Sequence, residues 1–351
     1  MLSMHYVGLD IHKKSISFCI RQSDGTIVEE GSFAANRQAL DIWISRLPHP
    51  WTAGMEATMF TAWVYDYLIE HSGTLKIAHP AMLKAITASK KKNDRVDAQK
   101  ISDLLRCNYF PECHMATREI RDRRRILRYR NLLVRQNVQM KNRVSSMLME
   151  TGIIYNKQKL HQKRYFGQLL EEQGSTMPES MPGLLRLSRT TVDSLTRMDH
   201  QLVRSLKSDD VLASRVAKLQ SIPGVGSILA LTWALEVGDV NRFKSVKSAV
   251  SYCGLCSAEQ SSAGKTQRTP ISKQRNKHLQ SVLVEAAKVG PRWSTELAAV
   301  YESEKSKGNR NRGTLAVARK LVAYLLAIDR GDCKFEPRHK DAEPTVLARP
   351  C

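Results

Sequence analysis

Two aspartates three residues apart, Asp94 and Asp97, stand in SKKKNDRVDAQKISDLL directly behind three consecutive lysines. On a helix that spacing sets both carboxylates on one face, with Cβ atoms about 5–6 Å apart. Such a pair can hold a hard divalent cation. The same residues also suit a helix start, with Asn93 or Asp94 as N-cap and the acids complementing the helix dipole. Partner carboxylates elsewhere in the chain decide between the two readings. Asp10 in YVGLDIHKKSISFCI and Glu56 in WTAGMEATMF each end a strand-like run, and Glu56 stands just before a helical segment.

Those acids need elements to position them. Tyr6–Leu9, Ser15–Arg21 and, after the turn residues Asp24-Gly25, Thr26–Phe33 read as three strands of a meander. Asn36 caps an amphipathic segment carrying Leu40, Ile44 and Leu47 on one side. Thr52–Met55 reads as a strand, Phe60–Ile69 as a helix, Leu75–Ala78 as a strand, and the chain from Met82 onward as helix. The order β-β-β-α-β-α-β-α predicts an α/β fold, a mixed sheet with helices on its faces. In a ribonuclease-H-like sheet the first and fourth strands are neighbours, which sets Asp10 beside Glu56 with the Asp94/Asp97 helix packed across them. Four converging carboxylates repel unless cations neutralise them, and Mg²⁺ prefers oxygen ligands of this kind. Two ions roughly 3.5–4 Å apart are therefore expected, an arrangement suited to phosphodiester cleavage.

From Arg118 to Glu150 the pattern is helical without a break, with Ile126, Leu133, Met140 and Met147 seven residues apart. The alternate seam positions are Arg130, Asn137 and Val144, and polar residues there can set register between partner helices. After a connection around GSTMPESMPG, a second helix carries Leu195, Met198, Leu202 and Leu206, completing a helical hairpin. A third unit opens with LQSIPGVGSILALTWALEVG, in which Pro223-Gly224-Val225-Gly226 turns one helix into the next. This resembles a helix-hairpin-helix element, in which turn amides such as those at Gly224 and Gly226 bind backbone phosphate. The expected domains are thus residues 1–115 around the acids, 116–215 as a helical coiled-coil region, 216–330 as a mostly helical unit, and 331–351 as a flexible tail.

The chain has 351 residues, with 55 Lys and Arg against 34 Asp and Glu, a formal charge of +21 that calls for a polyanionic partner. Arg118 to Arg143 holds ten basic residues and two acids, and Lys265 to Lys277 holds five and none. From these clusters Arg123, Arg124, Arg125, Arg128, Arg130, Lys265, Arg268 and Lys273 are the candidate phosphate contacts. No apolar run approaches a membrane span and MLSMHYVGLD lacks a signal pattern, so a cytoplasmic location away from any membrane is expected. Seven cysteines without regular spacing fit reduced thiols. Cys253 and Cys256 make one CxxC, read as small buried thiols rather than half of a zinc site.

Asp10 in GLDIHKKS, Glu56 in MEAT, and Asp94 and Asp97 in KNDRVDAQKISDLL look like the DEDD site of the insertion-sequence "one-ten" family of transposases, whose nuclease domain is RuvC-like. The stretch from IPGVGSILALTWALEVGDVNRF to ISKQRNKHL is similar to that family's C-terminal transposase domain, with its IPGhG turn, RF helix, GL element, serine loop and ISK segment. The resemblance covers roughly residues 5–330. It implies a serine nucleophile joined covalently to DNA, and Ser262 in SSAGK is the matching residue, with Ser261 adjacent. Cys256-Ser257-Ala258 departs from the family's usual Pro-Arg after GL. The resemblance further implies Mg²⁺, donor and target DNA, a structured noncoding guide RNA, a bacterial and nucleoid-associated setting, and a homo-oligomer, dimer or tetramer, that builds a composite site.

Three other readings compete. A DEDD endonuclease of the Holliday-junction-resolvase kind has the same acids with water as nucleophile, but leaves the C-terminal unit without a task. A non-catalytic nucleic-acid-binding protein does not need four acids. GLDIHKKS also suits the first phosphate loop of an actin-like ATPase, yet no further glycine-rich loops follow.

Overall fold

The computed structural model describes residues 4–71, 74–87, 93–262 and 265–337. The chain forms two compact units, Met1–Arg118 and Glu119–Cys351.

The first unit begins with strands β1 (His5–Ile11), β2 (Ser15–Arg21) and β3 (Ile27–Ala34). Helix α1 (Arg37–Ile44) follows, capped by Asn36, whose side chain accepts from Ala39 N at 2.8 Å. Then come β4 (Trp51–Glu56), α2 (Thr61–Leu68), β5 (Thr74–Ala78), α3 (Pro80–Thr87) and α4 (Asp94–Arg106). The sheet order is β3-β2-β1-β4-β5, with β1, β2 and β3 antiparallel and β1, β4 and β5 parallel. First and fourth strands are therefore neighbours, as in the sheet order expected above.

Strand periodicity decides which faces meet. Val7, Leu9 and Ile11 point into a core with Leu40, Trp43, Val64 and Leu68 of α1 and α2. Tyr6, Gly8 and Asp10 alternate onto the opposite face, where α4 packs. Gly8 makes that packing possible, because a Cβ there would lie 2.0 Å from the Ala98 carbonyl oxygen and 2.5 Å from Ser102 N. Gly54 on β4 is similar, with a Cβ falling 2.8 Å from Leu105 Cδ1. Polar pins add to this contact: Arg95 pairs with Glu30, Gln99 donates to Glu30 at 2.6 Å, and Arg21 donates to Ser102 Oγ at 3.2 Å. Gly8→Ala should therefore lift α4 from β1 at a cost of about 3 kcal/mol or more. A melting temperature lower by about 10 °C is expected. An unchanged melting curve would show that α4 is not seated on the β1 backbone.

Among its described residues the second unit is helical apart from one hairpin. Helix α5 (Arg118–Glu150) is unbroken, as its sequence predicts, and α7 (Met181–Lys207) runs beside it. Two of the polar seam positions join the pair: Arg130 Nε lies 2.5 Å from Asp199 Oδ1, and Asn137 Nδ2 donates to Thr196 Oγ1 at 2.8 Å. Between them the chain inserts α6 (Lys163–Gln173), an element the sequence reading lacks. Its Phe166, Leu169 and Leu170 join Val144, Met147, Leu148 and Leu185 in a small core of their own.

The main core of this unit surrounds α9 (Ser227–Val237), which follows α8 (Asp210–Gln220); every residue of α9 from Leu229 to Val237 is buried. Then come α10 (Val246–Tyr252), the hairpin β6 (Ser257–Ser262) and β7 (Lys265–Ile271), α11 (Lys277–Val289), α12 (Thr295–Ser306) and α13 (Arg310–Gly331). Residues 331–337, at the head of the expected tail, include Phe335, which packs on Tyr324 and donates its amide to Ser221 Oγ at 2.7 Å. The rest of that segment lies outside the described residues. Among the described residues, no helix is long and apolar enough to cross a membrane.

Candidate functional site

Asn93 caps α4, its side chain accepting from Arg95 N at 3.0 Å, and Asp94 and Asp97 both lie in the first turn, an arrangement compatible with a cap and with metal binding alike. Lys90–Lys92 lie outside the described residues.

Asp10 sits at the end of β1 with 9% of its surface exposed. The parallel ladder's final pair is Leu9 with Met55, which leaves Asp10 and Glu56 as the next residues on adjacent strands. The turn after Glu56 is held by Thr61, whose buried hydroxyl donates to the Glu56 carbonyl and accepts from Thr58 N. Asp10, Glu56 and Asp97 line one cleft of about 590 Å³ with His12, Thr58, Lys84 and Lys100. Asp97 lies 3.5 Å from Lys100 Nζ. Asp94 approaches from the helix start, its Oδ1 3.4 Å from His12 Nε2.

His12 is the member that sequence reasoning misses. Its Nε2 stands 3.1 Å from Asp10 Oδ2, and one ligand atom each from Asp10, His12 and Asp94 lies within 4.8 Å of the others. The signal is present, because a residue two beyond Asp10 falls on the same side of an extended chain. Burial raises the Asp10 carboxyl above its ordinary range, and the charges of Asp94 and Asp97 push the same way while His12 opposes them. Carboxylate oxygens with one imidazole nitrogen form a donor set that suits a divalent cation, and a cation there would relieve the clustered negative charge.

The basic residues divide differently from expectation. Arg124 is mostly buried, donates to the Leu235 carbonyl at 2.8 Å, and has its acidity raised by that burial. Arg128 grips Glu236 with two bonds of 2.8 Å, and Glu236 is 1% exposed. Burial alone would raise the Glu236 carboxyl, yet Arg128, with Asn276 and Arg124, brings it below the ordinary carboxylate range. Arg123 pairs with Asp209 at 2.7 Å and Arg130 with Asp199. These four arginines bind helix to helix inside the unit, and Arg124 and Arg128 cannot turn to a phosphate without abandoning a buried charge. Arg125, paired with an equally exposed Asp122, remains available to solvent, as do Lys265 and Lys273.

Arg128→Ala should thus lower stability by about 3 kcal/mol or more in urea unfolding. Arg125→Ala should change it by less than about 0.5 kcal/mol, yet reduce the salt slope of duplex DNA binding by up to about 0.9. Equal effects of the two variants on stability would refute this division.

Gly224 has φ +83°, and a Cβ on it would lie 2.8 Å from Gly290 Cα, so this glycine serves the packing of the turn on its neighbour. Gly226, at the α9 N-cap, is exposed with open space around it. Cys253 is buried and its thiol is pushed up to about 12, which fits a packed thiol. Ser262 ends β6, pairs with Lys265 across the hairpin, and has its side chain outside the description, as does Arg268. The adjoining Ser261 hydroxyl donates to Glu259 at 2.9 Å.

Residues 7–153 match a model of the DEDD transposases of the IS110 type, and residues 216–302 match the model described as "Transposase IS116/IS110/IS902 family". The chain is 26% identical over 338 residues to the transposase for insertion sequence element IS1328 of Yersinia enterocolitica, covering 92% of this chain and 96% of the relative. It is 26% identical over 264 residues to the transposase for IS1111A of Coxiella burnetii, covering 72% and 70%. A pilin gene-inverting protein of Moraxella bovis is 28% identical over 149 residues, 42% of this chain and 46% of the relative. Matched in both its units by transposase models and along most of its length by transposases, the chain is similar throughout to transposases of the IS116/IS110/IS902 kind.

Proposed function

We propose that the protein cuts and rejoins donor and target DNA, using a divalent-metal site built on Asp10, Glu56, Asp94 and Asp97 and a serine nucleophile, Ser262. The observation that carries this reading is the convergence of Asp10, Glu56 and Asp97 on one cleft, with Asp94 joined to Asp10 through His12. The sheet order β3-β2-β1-β4-β5, with its change from antiparallel to parallel pairing at β1, supports a ribonuclease-H-like, RuvC-like domain.

Asp10, Glu56, Asp94 and Asp97 would hold Mg²⁺, two ions per site, which when bound supplies charge neutralisation at a phosphodiester and favours loss of a proton from the attacking hydroxyl. His12 orients the Asp10 carboxylate and keeps it aimed at the cleft. Lys100 and Lys84 place positive charge at the cleft wall, where a phosphate backbone would enter. Ser262, at the tip of a polar hairpin, is the group that would bond to phosphorus and release a DNA hydroxyl.

The charge of +21 supports two nucleic-acid partners. We assign sequence choice to a structured guide RNA pairing with DNA, while the protein contacts shape and backbone. A dimer or tetramer would complete the composite site. The gene-inverting name of the Moraxella bovis relative favours strand exchange over simple cutting by water. The deciding experiment is trapping of a covalent protein–DNA adduct on a plasmid carrying the abutted ends of the insertion sequence, with Mg²⁺ and RNA transcribed from those ends. Cut DNA without an adduct would replace this reading by the resolvase-like one.

A further inference from the structure

The hairpin that ends in Ser262 has little to hold it by hydrophobic burial. Its strands read SAEQSS and KTQRTPI, and none of its described side chains belongs to the apolar core of the second unit. A lone two-stranded hairpin in water is marginal. What the structure supplies instead is a set of buried polar bonds at the hairpin's two feet.

At the first foot, the Gly254 carbonyl accepts from Gln280 Nε2 at 2.6 Å and the Leu255 carbonyl from Arg319 Nε at 2.8 Å. Ser272 N donates to the Cys256 carbonyl at 3.0 Å and closes the feet together. At the second foot, Arg275 donates to the Ser272 carbonyl at 2.9 Å, and Asn276 makes the bonds that reach Glu236 and Tyr252. The Asn276 backbone N–H donates to the Tyr252 carbonyl at 3.0 Å. Its side-chain oxygen accepts from His278 N and Leu279 N at 3.1 and 3.2 Å, capping α11. Its side-chain nitrogen donates to Glu236 Oε2 at 2.8 Å and to Tyr252 OH at 3.2 Å. Tyr252 OH in turn donates to the Glu236 carbonyl at 2.9 Å. Glu236 lies in the buried stretch of α9 and is fixed from α5 by Arg128.

We propose that Asn276 is a positioning residue for strand transfer, which through Glu236 ties the exit of the β6–β7 hairpin to the rigid core and so sets where Ser262 stands. A cap alone would require only an oxygen at position 276, and Ser, Thr or Asp would serve. The donor half of the amide is what the buried Glu236 carboxylate requires, since a buried charge needs its hydrogen bonds filled. Serine placement matters because a misplacement of about 1 Å costs about 10²-fold in rate. The proposal rests on the reading of Ser262 as the nucleophile.

The test exchanges donor for acceptor. Asn276→Asp keeps the cap on α11 but sets a carboxylate against Glu236. The double variant Glu236→Gln with Asn276→Asp restores a donor facing an acceptor, and the new amide on α9 still offers Arg128 an oxygen. In full-length protein, Asn276→Asp should bind RNA and DNA with unchanged affinity while its hairpin amides exchange hydrogen about tenfold faster or more. The rate of covalent adduct formation should fall about 10²-fold, and the double variant should recover most of both losses. A merely structural role would lower melting temperature without altering the rate per folded molecule.

Unchanged exchange and adduct rates in folded Asn276→Asp would overturn the proposal, and so would a double variant no better than the single one. Should Asn276→Asp not fold, Asn276→Ser, which keeps a capping oxygen and reaches neither Glu236 nor Tyr252, is held to the same criteria on exchange and adduct rate. If wild-type protein forms no adduct, the serine reading fails, and hydrogen exchange alone still decides whether Asn276 fixes the hairpin.

Discussion

On the metal-site reading, Asp97→Ala should abolish Mg²⁺-dependent strand cleavage while the purified protein stays folded and keeps its affinity for nucleic acid. The basis is position: Asp97 lines the cleft with Asp10 and Glu56, and its ion-pair partner, Lys100, stands one turn along the same helix. Removing it would delete one of the proposed ligands without opening the core, since α4 is seated through Gly8, Ala98 and Ser102. A loss of at least about 10³-fold is expected where a metal-held charge at phosphorus is removed. A readout independent of activity accompanies it. Mg²⁺ at ten times its dissociation constant should stabilise the wild-type protein by about 1.4 kcal/mol and leave Asp97→Ala nearly unmoved.

Asp10→Asn should also be inactive, and in metal-free buffer it should melt higher than wild type. Burial holds the folded-state pKa of Asp10 above its unfolded value. The folded protein thus binds this proton more tightly than the unfolded chain does, so the ionised carboxylate costs stability once pH passes the unfolded value, and fully above the folded one. A neutral amide removes that cost. Normal cleavage by Asp97→Ala would sink the metal-site assignment, and a lower melting temperature for Asp10→Asn would refute the burial cost on its carboxylate.

The second large effect is all-or-none. With a suicide DNA substrate, Mg²⁺ and RNA, a covalent adduct should survive denaturation and map to the peptide holding Ser261 and Ser262. Ser262→Ala should remove it, and Ser261→Ala should retain it. Ser261 is already bonded to Glu259, which leaves the next residue as the better register for attack. An adduct in Ser262→Ala but not in Ser261→Ala would move the nucleophile by one residue. Free DNA ends with no adduct in any variant would favour water.

How much of this is legible in the chain follows the range of each interaction. The strand ends at Asp10 and Glu56, the cap at Asn36 and the unbroken helix from Arg118 to Glu150 are local patterns of period and punctuation, and all are found in the structure. The arginines are the opposite case. Arg128 and Arg124 look like solvated charge in the sequence because their partners, Glu236 and the Leu235 carbonyl, lie more than a hundred residues on. Helix α6 offers three buried apolar residues around a glycine, too short a stripe to mark itself. The hairpin strands SAEQSS and KTQRTPI carry no apolar alternation, so their pairing is not marked in the sequence. His12 is within reach, two residues from one of the acids, but imidazole does not fit an all-oxygen expectation.

The ten buried side chains around Leu148, Phe166 and Leu185 form a core separate from the one around Trp233, joined to it by the paired run of α5 and α7. A fold with two such nuclei need not open as one cooperative transition. The distal one is small, bounded by α6 and the ends of two long helices, and should open at a lower free energy than the core that bears the serine hairpin. Insertions, deletions and sequence drift can therefore accumulate at that end of the helical pair while the reactive end keeps its stability.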